Sequence, residues 1–123
     1  MAWSSAQIAW RHAYPDRAFA HYTGQSLPSS IRAVQYADRI DDNFFHVGHY
    51  WVLHGSPEAI ERFAFAHGFV ESTDDARWIT PNSEALLGTD IGTSNLLVGY
   101  EREQSRNDWI WVYRGGLAIY NER

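Results

Sequence analysis

Residues 44–63 read FFHVGHYWVLHGSPEAIERF, and this passage decides the fold. Its first part, residues 44–54, is aromatic and β-branched and is bounded by turn formers, the composition of a strand. Gly55 then breaks the strand. Ser56 is placed to cap a helix, Pro57 suits the first helical position, and Glu58 meets the positive end of the helix dipole. The helix is predicted to run to His67 and to stop at Gly68. Ile60, Phe63, Ala64 and His67 fall at i, i+3, i+4 and i+7, so they share one face. A strand followed directly by a one-faced helix indicates a helix laid on a sheet.

Working outward, residues 31–39 (IRAVQYADR) read as a strand preceding 44–54, with Asp41-Asp42-Asn43 as the loop tip. Upstream, residues 5–13 and 16–23 read as two short helices, separated by Pro15 and stopped by Gly24. Leu27-Pro28-Ser29-Ser30 is a turn. Downstream, residues 70–93 are polar and irregular, with a short helical turn near Ser83–Leu87. A closing meander is expected at 95–103, 108–113 and 117–121, with a loop at 104–107 and a turn at Gly115-Gly116. The expected fold is one α+β domain over residues 1–123. About five antiparallel strands carry one packed helix, 56–67, and short N-terminal helices.

The chain has 123 residues, no cysteine and a formal charge of −5, and all ten basic residues are arginine. Its size is enough to bury a core without staples. Without cysteine and lysine there is no thiol nucleophile, disulfide framework, Schiff-base lysine or P-loop lysine. The negative charge is spread over both halves, which argues against a sequence-independent nucleic-acid binder. No stretch reaches the roughly 18 consecutive apolar residues of a membrane span. The N-terminus lacks a basic segment followed by an apolar one, so a cytoplasmic protein is expected.

Three kinds of site can be weighed from the residues. The first is a zinc or iron site from Asp38, Asp41, Asp42, His46, His49 and His54. On a regular strand His46 and His54 share a face but lie about 26 Å apart at a rise of roughly 3.3 Å per residue, and His49 points the other way. A bulge at Gly48 would bring His46 and His49 to one face; otherwise His49 is a half-buried strand residue beside Trp51. No cofactor or metal is assigned. The second is acid–base or nucleophilic catalysis. No G-x-S-x-G elbow is present, Gly88–Gly92 (GTDIG) is not a phosphate loop, and His67 reads as packed at a helix C-terminus. The third is an interaction surface. If Ile110 and Val112 face the helix, Trp109, Trp111 and Tyr113 form a ladder on the opposite face, either covered by residues 5–23 or used for binding. Asp41, Asp42, Asp74 and Asp75 would supply an acidic rim able to capture a basic partner.

The run GQSLPSSI at Gly24–Ile31, followed by a strand and by HGSPEAIERF at His54–Phe63, resembles a pattern in small bacterial α+β proteins. These include lipoproteins and the immunity proteins of contact-dependent or secreted toxins. The resemblance spans about residues 16–68 and rests on structural residues, a turn proline, a helix cap and a core phenylalanine. It carries no catalytic motif. The chain has no lipobox cysteine, so the immunity type is the nearer analogue. The resemblance implies a non-catalytic cytoplasmic protein that neutralises a cognate toxin by blocking its basic active cleft. Partner-binding residues would be Asp41, Asp42, Asp74, Asp75, Trp109, Trp111 and Tyr113. The rival readings are a small His/Asp metal-binding or metal-dependent hydrolase domain, and a homo-oligomeric module in which the ladder is the interface of a homodimer.

Overall fold

The computed structural model describes residues 10–40, 47–72, 95–102 and 105–122. Within them, after a helical stretch at 10–13, the elements follow in the order α1 (Pro15–Thr23), β1 (Arg32–Ile40), β2 (Val47–His54), α2 (Pro57–Ala66), β3 (Phe69–Glu71), β4 (Leu96–Arg102), β5 (Ser105–Tyr113) and β6 (Leu117–Glu122). All six strands form one sheet in the order β1-β2-β6-β5-β4-β3, and every pairing is antiparallel. The class is α+β, as the alternation of strand and helix signals implies.

The local signals act as read. Ser56 Oγ accepts from the Ala59 N–H at 3.1 Å, with Pro57 opening α2. Gly24 closes α1 in the left-handed region at φ +70 and donates its N–H to the Ala20 carbonyl at 3.0 Å. Gly55 answers a different need, close approach. A Cβ there would lie 3.2 Å from the Ser30 carbonyl oxygen and 3.2 Å from Ile31 Cγ1.

Both helices lie on one face of the sheet. Ala59, Ile60, Phe63 and Ala64 of α2 and Ala18 and Phe19 of α1 pack with Trp51, Leu53, Ile110, Val112, Ala118 and Tyr120. On the opposite face Val52, Trp111, Tyr113 and Ile119 form a second cluster with Trp109 and Leu117 beside it. Strand alternation separates the two sets, since successive side chains point to opposite faces.

Several expectations are corrected. The sheet has six strands, because Phe69–Glu71 pairs with β4 where an irregular segment is expected. Strand β5 begins at Ser105, inside the expected loop 104–107, because Ser105 takes a place opposite Arg102. Helix α1 joins α2 on the Ile110 face, so it does not cover the Trp109–Tyr113 ladder. Residues 10–13 are helical, within the expected 5–13. The expected turn near Ser83–Leu87 and the segment Gly88–Gly92 lie outside the described residues.

Candidate functional site

One row of polar side chains crosses the helix-covered face near the end of the sheet. Asp38 on β1 lies opposite His49 on β2, and His49 lies opposite Glu122 on β6. Asn121 is opposite Trp109, so the next step of the same register sets Glu122 beside Asp108 on β5. Asp108 in turn pairs with Arg102 on β4, Oδ2 to Nε at 3.2 Å. Each of these residues is two positions from a core residue of its strand: Tyr36, Trp51, Tyr120, Ile110 and Tyr100. The row therefore shares the core's face, one step further along each strand.

At its β1–β2 end the row is tied to the helical layer. The Tyr36 phenol meets His49 Nδ1 at 2.6 Å. Tyr22, near the end of α1, stacks on the His49 ring with centroids 4.0 Å apart and planes at 21°. Arg11 donates to the Tyr22 hydroxyl at 2.8 Å and sits 3.5 Å from Asp38. Burial lowers the His49 pKa, with Asp38 opposing and Arg11 adding to that shift. In the tautomer that carries its proton on Nε2, Nδ1 accepts from the Tyr36 hydroxyl.

At the other end the Arg102 guanidinium lies over the Phe69 ring, 4.7 Å from its centroid, and donates to the Tyr120 hydroxyl at 3.0 Å. Glu122 is half-buried. Among the described residues no hydrogen bond or ion pair engages its side chain. Burial, reinforced by Asp108 and only partly offset by Arg102, pushes its carboxyl up to about 7. His67, at the end of α2, packs against Phe63 with ring centroids 4.4 Å apart and planes tilted by 46°, and burial and Arg102 lower its pKa. It is a packed histidine, as its place on the helix suggests.

The sequence candidates divide as follows. Asp38 and His49 meet in the row. His54 is exposed, five residues along β2 and of opposite parity to His49. Asp41, Asp42, His46, Asp74 and Asp75 lie outside the described residues. No bulge occurs at Gly48; the β1–β2 register passes regularly from Asp38–His49 through Arg39–Gly48. Among the described residues no group of three or more His, Cys, Asp or Glu side chains is placed to hold a metal ion. Trp109, Trp111 and Tyr113 do share the face opposite Ile110 and Val112, as expected. Trp111 and Tyr113, however, are 1% and 0% exposed, so they belong to the core and have no surface to offer a partner. Trp109 is half-buried and stacks parallel on Trp111 at 6.1 Å.

Sequence reasoning missed Arg102, Asp108 and Glu122. One signal was available: each carries charge at a position in phase with its strand's buried stripe. No helix among the described residues is long and apolar enough to cross a membrane. Comparison of the chain with protein-family models, curated proteins and solved structures gives no match.

Proposed function

We propose that this is a non-catalytic binding protein of the immunity type, a cytoplasmic inhibitor that neutralises a bacterial toxin by covering its basic active cleft. The observation that carries the reading is Glu122. Its carboxyl is half-buried beside Asp108, and Arg102, the cation that acts on it, is already paired with Asp108. Arg102 is already engaged by Asp108 and Tyr120, and Arg11 by Asp38 and Tyr22. A carboxylate that destabilises its own fold is the kind of group retained for a partner's cation. The net charge of −5 supports the same reading, since an acidic inhibitor is steered towards a basic cleft. Asp41, Asp42, Asp74 and Asp75 are the further acidic contacts of this proposal, and Trp109 is its aromatic anchor.

The test is calorimetric titration against the purified product of the adjacent gene, with that protein's activity followed in parallel. The expected result is one-to-one binding that abolishes activity and weakens as salt rises. Glu122→Gln should weaken it about tenfold, the range of a charged contact. Absence of binding, or binding that leaves the activity intact, sinks the proposal.

A further inference from the structure

We propose that Tyr36 and His49 form a proton-coupled redox pair that drains oxidising equivalents from the aromatic core: Tyr36 gives one electron to a diffusible one-electron oxidant and its phenolic proton to His49. The pair works within the free chain and involves no partner.

Composition leaves the rings to take such damage. The chain has no cysteine and one methionine, against six Trp and seven Tyr. The sulfur atoms on which oxidation commonly ends are therefore almost absent. Tyr36 sits between other rings, with Trp51 5.2 Å away and Tyr22 5.9 Å away, its plane within 7° of the Tyr36 ring. Trp51 and Tyr36 are 0% and 3% exposed, and Tyr22 is half-buried. An electron crosses gaps of this size without solvent contact, whereas a proton moves only along a hydrogen bond. The ring that can release its proton is the one that keeps the hole.

Tyr36 has that exit. Its hydroxyl meets His49 Nδ1 at 2.6 Å, and Nδ1 is a base when the ring carries its proton on Nε2. The hydroxyls of Tyr22 and Tyr120 instead accept from Arg11 and Arg102, and a guanidinium takes up no proton. Trp51 Nε1 is buried with no hydrogen-bond partner among the described residues.

Loss of an electron turns the phenol into a strong acid. The O–H bond of Tyr36 breaks, an N–H bond forms at His49 Nδ1, and a neutral phenoxyl radical then faces an imidazolium. The electron reduces the oxidant by one unit. The groups facing His49 are Tyr36 and Asp38 from β1, Tyr22 from α1, Arg11 from residues 10–13, and Glu122 from β6. Asp38 favours the new charge, as does the Tyr22 ring stacked on the imidazole at 4.0 Å. Arg11 opposes it but is itself 3.5 Å from Asp38. Burial makes the imidazole a weaker base, and the acidity of the oxidised phenol outweighs that.

Flash photolysis of the intact protein at neutral pH, with photogenerated ruthenium(III) tris-bipyridine as the oxidant, tests the pair. A tyrosyl radical should appear by transient absorption and by freeze-quench electron paramagnetic resonance. Its rate of formation should not change with buffer concentration, because the proton stays inside the protein. Tyr36→Phe should remove this radical and leave the hole on tryptophan. His49→Gln still offers the Tyr36 hydroxyl an acceptor but takes no proton. It should slow the radical's formation about a hundredfold, the lower end of what a positioned base contributes, and make the rate climb with buffer concentration. A purely structural hydrogen bond would leave the His49→Gln rate at the wild-type value, and that result overturns the proposal. So does a wild-type radical that survives Tyr36→Phe, or one that forms faster as buffer is added. If a variant does not fold, the buffer response of the wild type decides on its own.

Discussion

Tyr36 shows how much one hydroxyl can organise. Its ring is buried against Trp51, with centroids 5.2 Å apart, while its O–H reaches His49 at 2.6 Å. Burial, and then the nearby Asp38, raise its pKa, so the phenol keeps its proton and remains a donor. Tyr36→Phe strands the His49 nitrogen in a half-buried place. The expected cost is about 1–2 kcal/mol by urea unfolding. The lost bond favoured the neutral imidazole, so the His49 titration midpoint measured by NMR should move upward. A midpoint that stays in place would mean that the contact does not hold the imidazole neutral. The same paired test separates loss of packing from loss of the proton-specific contact.

At the scale of elements, α2 depends on its cap and β1 on its shielding. Ser56→Ala leaves the Ala59 N–H without its side-chain acceptor and should cost about 1 kcal/mol in chemical denaturation, whereas Ser56→Asp should keep most of it. Strand β1 is an edge of the sheet, nine residues long. Long edges invite pairing with another chain. Here two backbone groups of that edge are taken by side chains from the helical layer. Asp16 Oδ1 accepts from the Ala33 N–H at 2.8 Å, and the His12 ring meets the Tyr36 carbonyl at 3.1 Å. The double substitution Asp16→Ala, His12→Ala uncovers both. Light scattering should then show concentration-dependent self-association that the parent protein lacks at the same concentration.

Across the whole molecule, Phe19 is the point where the layers meet. It is fully buried on α1 and contacts Trp51 of β2, Phe63 of α2 and Tyr120 of β6, with ring centroids 4.9–6.1 Å apart. Removing it empties the junction of two helices and two central strands. Phe19→Ala should cost about 3–5 kcal/mol by denaturant unfolding, the range for a large buried aromatic. Phe19→Leu should cost much less. A loss below about 1 kcal/mol for the alanine variant would show that α1 contributes little to the core. The second cluster, on the Trp111 face, contains no side chain of either helix. The Phe19 variant should therefore leave the near-ultraviolet signal of the Trp109–Trp111 stack intact wherever the variant remains folded.

The sequence by itself determined the elements whose signals are local. Ser56-Pro57-Glu58 set the start of α2, Gly24 the end of α1, and Gly115-Gly116 the last hairpin, because caps and left-handed turns depend on residues a few positions apart. The alternation of Ile110 and Val112 with Trp109, Trp111 and Tyr113 likewise separated the two faces of the sheet. Strand β3 was hidden because three residues are too few to show a period, and Ser105 joins β5 only because β4 provides its partner. Which face α1 would cover, and that Trp111 and Tyr113 would be buried, depended on packing between distant segments. The polar row is the clearest case. Asp38, His49, Glu122, Asp108 and Arg102 are far apart in the chain, and only the pairing register of five strands brings them side by side.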